Sequence, residues 1–78
     1  MAKNRKSEPE LLLKRLGKRV RELRVEKGLS QEGLALAAGL DRSYVGGVER
    51  GQRNIAVLNL KKIAHALGVK PSQLLEGL

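Results

Sequence analysis

The sequence contains no cysteine, tryptophan or phenylalanine, and Tyr44 is its one aromatic residue. Without cysteine, neither a disulfide framework nor a thiolate metal site can form. The scarcity of aromatic side chains argues against single-strand binding by base stacking and against an aromatic RNA-reading sheet. The sequence has no apolar run close to the roughly 18 residues of a membrane span, and its basic N-terminus lacks the apolar stretch of a signal peptide. We therefore expect a cytoplasmic protein.

Positive charge is in excess. The 78 residues include 16 Lys and Arg against 8 Asp and Glu, a formal net charge of +8, which favours a polyanionic partner. The excess lies mainly in residues 1–28, with ten basic and four acidic side chains, whereas residues 29–54 carry three of each. The polar tail at the start of this stretch, residues 1–8, either follows a DNA groove or the DNA backbone, as basic arms do, or only solubilises the chain. A chain of this length forms one small domain of marginal stability, which dimerisation would strengthen.

The spacing of apolar residues predicts helices throughout. Residues 1–8 are polar and aperiodic and indicate a flexible basic tail, so that the folded domain spans 9–78. From Pro9 the apolar residues recur at steps of three and four, which is typical of one helix face, and this helix is expected to stop at Gly28. The members of its stripe are Leu13, Leu16, Val20 and Leu23.

Four shorter helices are predicted after the first. Ser30 caps the second and Asp41 the third, which spans 42–50. The fourth has Ala56 where a capping residue is common, so Asn54 is expected to cap it, and Pro71 begins a short fifth helix. No strand pattern occurs in the sequence. The prediction is an all-α fold, a compact five-helix bundle.

The segment Ser30–Gly51 reads SQEGLALAAGLDRSYVGGVERG. It combines two short helices, a glycine-containing turn of about three residues, and the small Ala35 where the helices would cross; this is the helix-turn-helix arrangement. In that arrangement the second helix enters the major groove and the first braces it. The segment therefore predicts binding to double-stranded DNA.

Three stretches, RELRVEKGLSQEGLA, LDRSYVGGVERGQRN and NLKKIAHALGV, resemble the phage-repressor-like (XRE) helix-turn-helix family from about Leu16 to Leu75. The second is particularly similar to the controller proteins of restriction–modification systems, small homodimers that regulate their own operon and the endonuclease gene. The resemblance implies a lambda-repressor-like DNA-binding domain, a homodimer on a palindromic operator, and RNA polymerase as a further partner. It implies no cofactor. With His65 as the one histidine and no cysteine in the sequence, we expect no metal site, and no nucleophile–base pair indicates an enzyme.

The resemblance also implies roles for individual residues. Arg42 and Ser43 would reach base edges, and Gly47 would let the backbone approach DNA where the family often has a long polar side chain. Tyr44 would bind phosphate or pack over the helix pair. Arg24 and Glu49 resemble a family pair that forms a largely buried salt bridge. Four further residues are expected to contact phosphate, and the alternative is that each is an ordinary solvated side chain. They are Gln31, Arg50, Arg53 and Asn54.

The dimer interface must leave the third helix free. We expect it to use the C-terminal part of the chain, with Leu75 turned inward; the alternative is that these side chains all belong to the monomer core. Two other functions use the same fold, a DNA-binding antitoxin and a pure protein-interaction module, and a non-specific nucleoid protein is a third possibility. The expected interface residues are Val57, Leu58, Leu74 and Leu78.

Overall fold

The computed structural model describes residues 7–78. Its helices are α1 (Glu8–Glu26), α2 (Gln31–Ala38), α3 (Arg42–Glu49), α4 (Val57–Leu67) and α5 (Pro71–Leu74). Residues 7–78 contain no strand, and in the same span no helix is long and apolar enough to cross a membrane. The predicted all-α, five-helix bundle is therefore confirmed.

Helix α1 begins earlier than its apolar stripe. The Ser7 hydroxyl accepts a hydrogen bond from the Glu10 N–H at 3.3 Å, and the Glu10 carboxylate accepts one from the Ser7 N–H at 3.0 Å. This reciprocal capping box satisfies two amides that a helix start otherwise leaves unpaired. Ser7 and Glu8 therefore form the start of α1, and residues 1–6 of the predicted tail lie outside the described part of the chain.

The starts of the next three helices differ in how they are capped. The Ser30 hydroxyl accepts from the Gly33 N–H at 2.9 Å, as predicted for α2. Asp41 is the N-cap residue of α3, but its side chain makes no capping hydrogen bond to any residue in 7–78. Ala56 is the N-cap of α4, so the prediction that Asn54 caps this helix is wrong; Asn54 lies two residues too early.

All five helices contribute to one core. Side chains of the predicted stripes meet there, although Leu13 and Leu23 at the ends of the α1 stripe are only half-buried. Full burial of an aliphatic side chain stabilises a fold by about 1.5–3 kcal/mol, so these contacts hold the helices in place. The largest fully buried side chains are Leu34, Ile63, Leu67, Leu74, Val20, Val45 and Val48.

The orientation predicted for the leucines of α5 is wrong. Leu74 is fully buried in the core, and Leu75 is 47% exposed. Helix α5 ends at Leu74, so Leu78 does not share its face and instead packs, partly buried, against the core. Helix α5 is a single turn, which is too short for the spacing of its apolar residues to indicate which of them is buried. Tertiary contacts decide this instead: Arg19 Nε donates to the Gln73 carbonyl at 3.2 Å and holds the turn against α1.

Candidate nucleic-acid interface

The first turn of α3 projects away from the core. Arg42 and Ser43 are its first two residues, and both side chains are exposed. Val45 and Val48, further along the helix, are buried in the core. A helix that enters a major groove uses its N-terminal residues to contact base edges, and Arg matches the O6 and N7 acceptors of guanine. The exposed turn therefore has the placement and the chemistry of a base-reading surface.

The other end of α3 is fixed by a buried ion pair. Arg24 Nε donates to Glu49 Oε2 at 2.6 Å and Nη2 donates to Oε1 at 3.1 Å, while Nη1 donates to the Leu29 carbonyl at 2.7 Å. The two side chains are 12% and 2% exposed. The hydrogen bond to Glu49 raises the pKa of Arg24 above its ordinary value. Sequence analysis expected these two residues to pair, and the structure brings them together.

Gln31 joins this network from α2. Its Nε2 donates to Glu49 Oε1 at 3.1 Å, so the carboxylate accepts bonds from two helices and is held away from the surface. A side-chain amide has a second N–H, and Gln31 also lies in the first turn of α2, where backbone N–H groups favour anions. Its inward bond is therefore compatible with a phosphate contact.

Gly17 is a contact residue that sequence analysis did not single out. A Cβ at this position would lie 2.3 Å from the Val48 carbonyl oxygen and 2.6 Å from that of Glu49. The backbones of α1 and α3 thus touch directly. A glycine inside a helix costs about 1 kcal/mol of stability relative to alanine. Its presence next to the buried Leu16 therefore indicates that another backbone packs too closely there for a side chain.

Two arginines cover the two glycines of α3. A Cβ at Gly46 would lie 3.1 Å from Arg50 Nη1, and a Cβ at Gly47 would lie 2.7 Å from Arg53 Cγ. The missing side chains therefore make room for Arg50, which lies over Gly46, and for Arg53, which lies over Gly47. Gly47 itself is buried, so the base contact expected of it requires Arg53 to move.

Tyr44 packs between α3 and the following turn. The guanidinium carbon of Arg53 lies 5.6 Å from the centroid of its ring, within the range of a cation–π contact. Its hydroxyl accepts a hydrogen bond from Asn59 Nδ2 at 3.1 Å. Of the two roles expected for Tyr44, the structure shows the packing role, and the hydroxyl retains a proton that a phosphate could accept.

The turn between α3 and α4 carries the remaining expected phosphate contacts. Arg50, Arg53 and Asn54 are all exposed there, and Arg50 Nε donates to Gln52 Oε1 at 2.9 Å. We call residues 50–54 the phosphate turn. This turn and the start of α2 meet at Gly46, because a Cβ there would lie 3.1 Å from Arg50 Nη1 and 3.4 Å from Gln31 Oε1.

Comparison with known proteins places this geometry in a family. The sequence profile described as helix-turn-helix matches residues 20–74. The control protein C.BamHI from Bacillus amyloliquefaciens is 46% identical over 61 residues, which is 77% of this chain and 75% of that protein.

Two solved structures superpose closely. The restriction-modification controller protein C.AhdI from Aeromonas hydrophila gives a TM-score of 0.79 at 61% identity, covering 80% of this chain and 94% of the other. The wild-type restriction-modification controller protein C.Esp1396I gives a TM-score of 0.76 at 37% identity, covering 83% and 84%.

Proposed function

The chain belongs to the helix-turn-helix family and is a DNA-binding transcriptional regulator, not an enzyme; we propose that it acts as the controller protein of a restriction–modification system. The observation that carries the proposal is the exposed Arg42–Ser43 turn, presented by a helix whose other end is locked through Glu49. The 61% identity to C.AhdI supports the controller role.

In the proposed complex the two sets of contacts do different work. Arg42 donates to the O6 and N7 atoms of a guanine, and Ser43 hydrogen-bonds a neighbouring base edge. The contacts to phosphate supply affinity and fix the register of the protein on the duplex. The residues that make them are Gln31, Tyr44, Arg50, Arg53 and Asn54.

Two copies of the chain bind together. One short recognition helix reads only a few base pairs, and a two-fold dimer doubles the site into a palindrome with half-sites about 34–36 Å apart. Val57 and Leu58, at the start of α4, are 82% and 63% exposed. Burial of these apolar side chains between two subunits would stabilise the dimer. Leu74 is excluded from this surface by its burial in the monomer core. Bound upstream of its own operon, the dimer regulates that operon and an endonuclease gene, with RNA polymerase as a neighbour on the DNA.

Footprinting on the DNA upstream of the gene tests the proposal. We expect two protected half-sites one helical turn apart. If the dimer makes about 6–10 phosphate contacts, affinity should fall by roughly 10³–10⁵ between about 50 and 200 mM salt. A random duplex of equal length is the control. Equal affinity for both duplexes would identify a non-specific nucleoid protein, and a flat salt response would exclude DNA binding.

The dimer surface is tested by sedimentation at micromolar concentration. Wild type should sediment as a dimer, and Val57→Asp and Leu58→Asp as folded monomers, because each places a charge in the interface. Leu36→Asp is the matched control, since Leu36 is 80% exposed on α2 and lies outside the proposed surface. A monomeric wild type that binds a single half-site would contradict the dimer, and dimeric Val57→Asp and Leu58→Asp variants would move the interface elsewhere.

A further inference from the structure

Lys14, on α1, reaches the phosphate turn from outside the helix-turn-helix segment. Its Nζ donates to the Arg50 carbonyl at 3.4 Å, across 36 positions of sequence. Lys14 also precedes the part of the chain that the family profile matches, residues 20–74. The contact therefore lies outside the matched segment, and the site described above does not include it.

The backbone fixes Lys14 in this place. Gly51 has a φ of +73°, and a Cβ there would lie 2.9 Å from Lys14 Cα and 2.7 Å from its Cγ. The glycine thus serves both the left-handed turn and the close approach of α1. This contact holds the Lys14 backbone and the base of its side chain against the phosphate turn. The ammonium therefore stays within one side-chain length of that turn.

The bond to Arg50 leaves the ammonium able to bind a second ligand. An ammonium has three N–H donors, and this bond, at 3.4 Å, is long. The side chains of Lys14 and Arg50 are both exposed. The last turn of α3, residues 46–49, contains no Lys or Arg. Lys14 therefore adds a positive charge at this end of the helix, next to the phosphate turn with its Arg50 and Arg53.

We propose that Lys14 is a DNA phosphate contact that extends the phosphate turn onto α1. This inference rests on the proposed DNA-binding function and adds a residue to it. It also assigns a role to part of the positive charge that residues 1–28 hold in excess. The ligand is a backbone phosphate, so the contact contributes to affinity for any sequence and does not discriminate between bases.

The salt dependence of duplex binding tests the proposal on the full chain. Each phosphate contact contributes about −0.9 to the slope of log K against log salt. Lys14→Gln should therefore reduce the magnitude of the slope by about 1 per subunit and weaken binding by roughly tenfold per subunit at about 100 mM salt. Lys14→Arg should retain the slope, because it retains the charge and the donors.

Lys70→Gln is the matched control. It removes the same charge, and Lys70 is exposed beyond the far end of α4 from the phosphate turn. Its slope should equal that of wild type. An unchanged slope in Lys14→Gln would overturn the proposal even if affinity or melting temperature fell, because a residue that only positions the turn carries no phosphate contact of its own. An equal reduction in Lys70→Gln would also overturn it. A wild type with no salt dependence would instead refute the proposed function itself.

Discussion

The two ends of α3 are held in opposite ways. At the C-terminal end, Glu49 accepts hydrogen bonds from Arg24 and Gln31, and the backbone of Gly17 lies against the helix. At the N-terminal end, Asp41 makes no capping bond to any described residue. Arg42 and the residue after it are exposed there. One end is packed against other helices, and the other end is exposed.

The difference separates orientation from reading. The locked end fixes the orientation of α3 in the bundle, because side chains of two other helices donate hydrogen bonds to one carboxylate. The side chains at the open end, Arg42 and Ser43, are exposed. They can therefore vary with the DNA sequence that is bound without a cost to the fold. Changes at the C-terminal end of α3 should accordingly alter stability, and changes at its N-terminal end should alter DNA recognition.

Breaking the locked end should cost the most. Arg24→Ala leaves the buried Glu49 carboxylate without its cation, and the loss expected for such a pair is on the order of 3–5 kcal/mol of unfolding free energy. That is a large part of the stability of a domain this small. Denaturant unfolding measures the loss. Arg24→Lys should lose less, because an ammonium keeps the charge but not the two-pronged geometry. A loss below about 1 kcal/mol would mean that the pair behaves as a surface pair.

Gly17→Ala should also destabilise the locked end, by about 1–3 kcal/mol, as overpacking does. The added methyl group would collide with the Val48 and Glu49 carbonyl oxygens, so α1 must move away from α3. Thermal unfolding gives the sign of the effect. Alanine is the better helix former by about 1 kcal/mol; a stabilised variant would therefore show that the two backbones do not touch.

At the open end, Arg42→Ala should reduce binding and leave stability unchanged. We expect a loss of about 1–3 kcal/mol on the specific site and a flattened preference at one base pair. The change in unfolding free energy should stay within about 0.5 kcal/mol. Competition binding with single-base variants of the operator measures the preference. Arg53→Ala is the control and should weaken all sequences about equally. An unchanged specificity ratio in Arg42→Ala would show that another residue reads the base.

The smallest effects should come from the helix caps. Ser30→Ala removes a capping hydrogen bond of 2.9 Å and should cost about 1 kcal/mol. Asp41→Ala removes a side chain that makes no capping bond to residues 7–78, so its cost should stay within about 0.5 kcal/mol. Both are measured by thermal unfolding. Equal losses would show that the Asp41 side chain caps α3 in solution, and that the N-terminal end of α3 is also held by the fold.

Much of this molecule could be predicted from local sequence signals. Ser30 caps α2, as its residue type and position indicate. The series Ser7-Glu8-Pro9-Glu10 is a capping box with an early proline, so the start of α1 at Glu8 is also visible in the sequence, although the apolar spacing places it one residue later, at Pro9.

Other features could not be predicted, because they depend on neighbours distant in sequence. The covering of Gly47 by Arg53 depends on how the phosphate turn folds back over α3. The reversal of Leu74 and Leu75 depends on where α1 holds a helix of one turn. Neither arrangement has a periodicity or a local motif to reveal it.

The five helices, the helix-turn-helix segment and the family can be predicted from the sequence alone, because helix periodicity, caps and glycine stops act over a few residues. Which charged side chains are buried and which are exposed depends instead on how the helices pack. Arg24 and Arg42 are the same residue type, yet one is buried against Glu49 and the other is exposed. The physical reason is that an ionised side chain goes into the interior only where a partner and further hydrogen bonds offset its desolvation, and that depends on which helices meet.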